Sequence, residues 1–256
     1  EPGATAEDGS NVVTVDFGKE VHVGSYWVNG NIGNGGTLLL IGENGRQETF
    51  EQTYDEMFRW TTRETDMDTS TLLLTVYGGS LDLNEIAFFD GEGNLLPAVL
   101  KGQTQAQQAL MDEQDTVPDL PSDYNGMYFD ELYHGRTAYE HLRNLAPYEN
   151  SHPPLGKLLI MVGIWIFGMC PFGWRVVGAL FGIGMLPVFY AFAKRIFKDS
   201  NFALTAAGLF AFDFMHFTQT RIATIDVYAV FFILLMYYYM YQYVTMNFFV
   251  DGLKKT

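Results

Sequence analysis

Residues 128–157 open with Phe129-Asp130-Glu131-Leu132-Tyr133-His134-Gly135-Arg136 and close with His152-Pro153-Pro154-Leu155-Gly156-Lys157. This stretch sets adjacent carboxylates, two histidines and cations between a polar half and an apolar half, and it reads as a catalytic loop at a membrane surface. Up to residue 151 the chain carries 26 acidic and 7 basic side chains; from residue 152 onward it carries 4 and 8. The two halves suit different solvents. The acidic half repels polyanions and argues against nucleic acid as a partner, because phosphate binding needs clustered Lys and Arg. Cys170 is the only cysteine, so no intrachain disulfide forms, and its apolar neighbours suggest core packing.

Downstream of the loop, apolar runs cover Leu155 to Met169, Phe172 to Phe197, Phe202 to Thr218 and Val227 to Val250. The second and fourth exceed the roughly 20 residues that a helix needs to cross a bilayer. The stretch Val227 to Val250 lacks any charge and is apolar around its circumference, as a lipid-facing span would be. The cation clusters Lys194-Arg195-Ile196-Phe197-Lys198 and Leu253-Lys254-Lys255 mark the cytoplasmic side. That places the segment from Arg221 to Asp226 on the outer face. The run Leu155 to Met169, about 22 Å long as a helix, then lies at the interface; if it crosses, Asp226 and Asp130 end on opposite sides.

Upstream, Glu1 to Asn11 is a polar leader. Val13, Val15 and Phe17 alternate, with Gly18-Lys19 ending the strand. Val21, Val23, Tyr26 to Val28, Thr37 to Ile41, Thr71 to Tyr77 and Leu81 to Asp90 follow, punctuated by Gly42-Glu43-Asn44-Gly45 and Gly91-Glu92-Gly93-Asn94. Short strands between Gly and Asn turns predict an antiparallel β-sandwich. Ala98 to Asp119 reads as a helix followed by a loop, halted by Pro118 and Pro121. The expected organisation is a β-sandwich over 1–97, a connector over 98–127, an outer catalytic loop over 128–154 and membrane helices over 155–256. A chain starting at Glu1 and ending just past an apolar run reads as an excerpt of a longer protein.

Asp130 and Glu131 stand out by their company, since Tyr133, His134 and Arg136 follow within six residues and the apolar region starts soon after. His152-Pro153-Pro154 fixes an extended entry into a helix, whose first turn brings free amides and Lys157 to a site that suits a lipid phosphate. Asp213, His216 and Gln219 recur three apart inside an apolar run. Ionisable groups at membrane depth are costly and are usually paired or functional. Arg221 and Asp226 follow at the outer end, where they can pair with each other or meet a charged ligand.

The segments around Val15-Asp16-Phe17-Gly18-Lys19, Thr37 to Leu40, Phe58-Arg59-Trp60 and Leu83 to Asp90 resemble the discoidin-like, galactose-binding jelly roll over residues 10 to 97. That resemblance implies a glycan or head-group site, with Tyr54, Phe58, Trp60 and Trp27 as ring platforms. Sandwich core is the more ordinary role for Trp27 and Trp60. Asp66, Asp68 and Asp90 offer oxygen ligands for a hard cation but are too scattered to establish a site.

Farther along, Phe129-Asp130-Glu131, His152 to Lys157, Pro171-Phe172-Gly173-Trp174-Arg175 and Arg221-Ile222-Ala223-Thr224-Ile225-Asp226 resemble, in that order, the protein O-mannosyltransferase family of GT-C membrane glycosyltransferases. The fold expected is multi-domain, an antiparallel β-sandwich followed by a partial all-α polytopic membrane region. The resemblance implies a polyprenyl-phosphate-linked mannose donor, a Ser or Thr hydroxyl of a protein as acceptor, and inversion at the anomeric carbon. Asp130 matches the catalytic base, with Glu131 positioning beside it. Arg221, Asp226, His152 and Lys157 face donor phosphate and sugar, and His134, Arg136, Asp213 and His216 support them. With no Asp-x-Asp motif near the loop, a metal-independent reaction is expected, with the lipid-linked sugar as substrate rather than cofactor. The expected location is an integral, multi-pass protein of the plasma membrane if the source is bacterial, with sandwich and loop extracytoplasmic. Two other readings stay open: a membrane-anchored carbohydrate-binding protein, and a GT-C enzyme that glycosylates a lipid or cell-wall polymer.

Overall fold

The computed structural model describes residues 12–33, 35–101 and 104–246. The polar leader, Gly102 and Gln103 within the stretch Ala98 to Asp119, and the second cation cluster at Lys254-Lys255 lie outside the described residues. The chain divides into two compact units, Glu1–Met127 and Tyr128–Thr256.

The first unit holds six antiparallel strands: β1 (Val12–Gly30), β2 (Thr37–Gly42), β3 (Gln47–Glu51), β4 (Trp60–Tyr77), β5 (Leu83–Phe89) and β6 (Val99–Lys101). They form one hydrogen-bonded sheet in the order β3-β2-β4-β1-β5, with β6 on β1, where the sequence suggested two packed sheets. The spine is a ribbon of β1 and β4, paired from Val12↔Thr75 to Asn29↔Trp60. Gly18 does not end a strand. Its φ of +72°, with its N–H donated to Asp16 Oδ1 at 2.8 Å, accommodates the register shift between Asp16 and Val21, so the chain bulges and continues. A second shift between Val23 and Ser25 moves the inward positions from odd to even numbers. Val13, Val15, Phe17, Val23, Tyr26 and Val28 therefore share one core with Leu38, Leu40, Phe50, Leu72, Leu74, Ile86 and Phe88.

Trp60, Ala87 and Phe89 form a second buried cluster with Trp27 and Val117 against it. Two of the four expected ring platforms are buried: Phe58 is 4% and Trp60 7% exposed, leaving no ring face for a sugar. Tyr54 lies in a short 3₁₀ turn, half-buried.

The segment expected to be a connector instead packs onto the sheet. β6 pairs with Thr14–Asp16, and Lys101 Nζ lies 2.6 Å from Asp16 Oδ2. The helix within it, α1, is only Gln105–Gln108. Gln114 Nε2 then donates to Glu85 Oε1 at 2.6 Å and to the Ile86 carbonyl at 2.9 Å. Burial pushes the Glu85 carboxyl up to about 7, against the opposing hydrogen bonds from Gln114 and the Glu113 N–H. The folded unit thus binds this proton more tightly than the unfolded chain, and Glu85 costs stability as pH rises from the unfolded value through about 7. Glu85→Gln should raise the stability of the sheet at pH 8 by roughly 1–3 kcal/mol and leave it unchanged near pH 4. Thermal unfolding of this unit at the two pH values measures that difference; an equal effect at both would exclude titration as its cause.

In the second unit, α2 (Glu131–Leu142) and α3 (Leu155–Phe167) precede α4 (Pro171–Phe197), α5 (Ser200–Ala211), α6 (Phe214–Gln219) and α7 (Asp226–Thr245). The loop expected over 128–154 is half helix. α4 and α7 are long and apolar enough to cross a membrane. They run in the same direction: Gly178 lies by Val227, Gly184 by Phe231 and Arg195 by Tyr238. α5 returns antiparallel to α4, with Phe189 and Phe210 at 4.7 Å between ring centroids. The expected single run from Phe202 to Thr218 is broken at Asp213, whose side chain accepts the His216 N–H at 3.0 Å and starts α6. A carboxylate serving as N-cap stabilises a new helix start better than a buried helix interior would tolerate it. α3 touches the same end of α4 and α7 at both of its own ends. A Cβ on Gly156 would meet Ile225 Cγ2 at 2.7 Å, and one on Gly173 would meet the Gly168 carbonyl oxygen at 2.1 Å. The Gly168–Gly173 approach, backbone against backbone, admits only glycine, and Gly156 makes room for the branched Ile225 side chain.

Candidate active site

The centre of the second unit is Glu131, which is fully buried. Its Oε2 accepts the Tyr128 N–H at 2.9 Å, closing the first turn of α2 in the manner of a capping box. Its Oε1 accepts the Ala223 N–H at 2.8 Å. Arg175, one turn into α4, completes the set through Nε to Oε1 at 2.7 Å and Nη2 to Oε2 at 2.5 Å. Every strong acceptor direction of the carboxylate is filled. Glu131 therefore holds together the start of α2, the start of α4 and the segment between α6 and α7.

Asp130 has the opposite surroundings. It occupies the N-cap position of α2 with helical backbone angles, so its side chain caps no N–H. It is half-buried, and its carboxylate accepts no hydrogen bond from the described residues. The preceding Phe129 has φ of +52°, an uncommon state for a bulky residue, and is 71% exposed. One carboxylate of the pair is locked as a scaffold while its neighbour is half-buried and carries no hydrogen bond from the described residues.

A second network lies one turn along α2. His134 is 6% exposed, and its Nδ1 finds no hydrogen-bond partner. Burial holds its imidazole below the usual value, against the opposing charges of Asp130 and Glu149. Its ring meets that of His152 edge-on, at 5.6 Å between centroids. His152 Nδ1 sits 3.1 Å from Glu149 Oε1, and Glu149 also pairs with Lys157 and accepts the Ser151 N–H. Burial raises the Glu149 carboxyl, but the bonds from Lys157, Ser151 and His152 outweigh it and hold the group well below the usual carboxylate range.

Several expected roles change accordingly. Lys157 is 1% exposed, bound to Glu149 and to the Glu149 and His152 carbonyls at 2.6 and 3.4 Å; it has no surface to offer a phosphate. Arg136 pairs with Glu140 at 2.8 Å and lies over the Tyr148 ring at 4.3 Å, bracing the loop after α2. Asp213 is a cap of α6, and His216 Nε2 donates to the Gly182 carbonyl at 3.2 Å, so His216 holds the α4–α6 packing. Arg221 is exposed and stacks on Phe217 at 3.9 Å. Asp226 is also exposed, at the first position of α7, and makes no ion pair with Arg221. Because Ala223 is tied to Glu131, both sit at the end of the unit where Asp130 lies. The sequence does not single out Glu149, and Arg175 stands there only within a motif, because the cation and carboxylate they pair with, Lys157 and Glu131, are 8 and 44 positions away.

Residues 168–250 match the family described as dolichyl-phosphate-mannose-protein mannosyltransferase. The chain is 33% identical over 118 residues to a polyprenol-phosphate-mannose–protein mannosyltransferase of Mycolicibacterium smegmatis, a match covering 44% of this chain and 23% of the relative. Proteins of the same name from Mycobacterium tuberculosis and Corynebacterium glutamicum match at 33% over 111 residues (41% of this chain, 21% of the relative) and 37% over 83 (32% and 16%). The chain thus spans less than a quarter of the length of these relatives. No solved structure matches. The four ordered motifs, the clamp that gathers three of them and the match over residues 168–250 point the same way: the helical unit is similar to the dolichyl-phosphate-mannose-protein mannosyltransferase family.

Proposed function

We propose that this chain is part of a membrane enzyme that transfers mannose from a polyprenyl-phosphate-linked donor to Ser or Thr hydroxyls of a protein, with inversion, at the outer membrane face. The observation that carries this reading is the Glu131 clamp. It fixes the start of α2, and so the uncommitted Asp130, beside the segment bearing Arg221 and Asp226, at the end where both long apolar helices begin. A hydroxyl is a weak nucleophile until a base takes its proton. In this reading Asp130 takes it as the acceptor oxygen bonds to the anomeric carbon and the bond to the donor phosphate breaks. The phosphate leaves with the electron pair, and exposed Arg221 stabilises its growing charge. Asp226 orients the donor sugar or Arg221.

The membrane setting rests on surface chemistry. α4 and α7 leave many large apolar side chains exposed, including Leu180, Ile183, Phe232, Ile233 and Tyr239, which suits lipid rather than water. Lys194, Arg195 and Lys198 lie at the opposite end of α4 from Arg175, and the positive-inside rule sets that end in the cytoplasm. The test is transfer of labelled mannose from polyprenyl-phosphate-mannose to a Ser/Thr-rich peptide, in membranes holding the full-length protein. We expect a glycosidic product with the anomeric configuration opposite to the donor's. Retained configuration would refute direct displacement, and absence of transfer by the folded protein would refute the donor–acceptor assignment.

A further inference from the structure

We infer that His134 is a positioning residue for Asp130, its Nδ1 lone pair serving as the acceptor that receives Asp130 once that carboxyl carries the proton. The inference rests on the mannosyltransferase reading and adds to it. A buried polar atom without a partner is uncommon in a folded protein and costs free energy. His134 is nine-tenths buried, yet its Nδ1 is unsatisfied. With the ring proton on Nε2, Nδ1 presents a lone pair, which a carboxylate cannot satisfy because it has no proton to donate.

The charged and titratable groups facing this ring are Asp130, Glu149, His152 and Lys157. Three of them are committed to one another: Glu149 binds Lys157, and His152 binds Glu149. Asp130, one helical turn before His134, is uncommitted. It becomes a donor only after taking the proton from the acceptor hydroxyl, since a protonated carboxyl has one O–H. The hydrogen bond to His134 then forms as the proton arrives and is absent in the ground state. An interaction realised only along the reaction accelerates the chemical step, whereas one present throughout would only tighten binding. The balance is complete: the proton lost by the hydroxyl rests on Asp130, shared with Nδ1, and departs to solvent after product release. The adjacent half-exposed His152 ring offers the way out.

The test compares His134→Phe and His134→Asn in the full-length protein, in membranes, by labelled-mannose transfer over a range of pH. Phe fills the ring volume without an acceptor; Asn keeps an oxygen near the place of Nδ1. We expect His134→Phe to lower kcat about 10–100-fold with the donor KM unchanged, and to move the acidic limb of its pH profile to lower pH. His134→Asn should keep kcat within about fivefold of the parent. An unchanged kcat and pH profile in His134→Phe would overturn the inference while leaving the transferase reading intact. So would an equal fall in both variants with the profile unmoved, which marks a packing role. If the parent itself transfers no mannose, the reading beneath the inference fails first and takes it along.

Discussion

Asp130→Asn is expected to lower mannose transfer by about 10²–10⁴-fold, the usual contribution of a positioned general base, or roughly 3–5 kcal/mol of barrier. Asparagine has the shape of aspartate but cannot accept the hydroxyl proton. The fold should not notice, because the Asp130 carboxylate caps no helix N–H and accepts no hydrogen bond from the described residues. The donor KM should likewise stay near the parent value, as the donor phosphate is assigned to Arg221. Steady-state transfer by protein of matched thermal stability measures this. Activity within about tenfold of the parent would remove Asp130 from the role of base. A parallel fall in stability would show that its carboxylate carries structural contacts instead.

How much of this arrangement can be read from sequence depends on whether a residue's partner is near it in the chain. The turns at Gly42–Gly45 and Gly91–Asn94 follow from local chemistry: Gly45 and Gly93 have φ of +79° and +84°, and Asp90 Oδ1 accepts the Glu92 and Asn94 N–H groups. The long apolar helices are legible for the same reason, since a bilayer-length run needs no partner to be recognised. The first half of β4 is not legible. Thr61 to Ser70 is polar on both faces apart from Met67, and it is a strand because β1 pairs with it, so tertiary pairing overrides a weak local preference. The apolar run Phe202 to Thr218 predicts one helix with Asp213 as a polar position inside it. A single acid in an apolar run has the same sequence signature whether it faces inward or starts a new helix. Asp130 and Glu131 were found together, but their division of labour depends on Arg175 and Ala223, far off in the chain.

That division sets the second large effect. Glu131→Ala should destabilise the helical unit by about 3–5 kcal/mol, because removing one member of a buried pair leaves the other charge uncompensated. Here the Tyr128 and Ala223 N–H groups lose their acceptor as well. The exchange Glu131→Arg with Arg175→Glu distinguishes a clamp from a simple ion pair. It restores opposite charges, yet a guanidinium has no acceptor for the two N–H groups, so stability should stay low; recovery to within about 1 kcal/mol of the parent would show that the charge pair alone matters. Glu131→Gln keeps one carbonyl oxygen and should fall between parent and Glu131→Ala. Unfolding in detergent, followed by helix signal and by protease resistance, ranks these variants. The ranking also separates scaffold from chemistry in the adjacent pair. At low temperature, where more of the Glu131→Gln protein is folded, its transfer per total protein should recover toward the parent, because Asp130 is still present in every folded molecule. Asp130→Asn has nothing to recover, and its deficit should be the same at every temperature where it is folded. If Glu131→Gln instead shows full stability and a fixed loss of transfer, Glu131 acts on the substrate directly, and the filled acceptor set around its carboxylate must open during turnover.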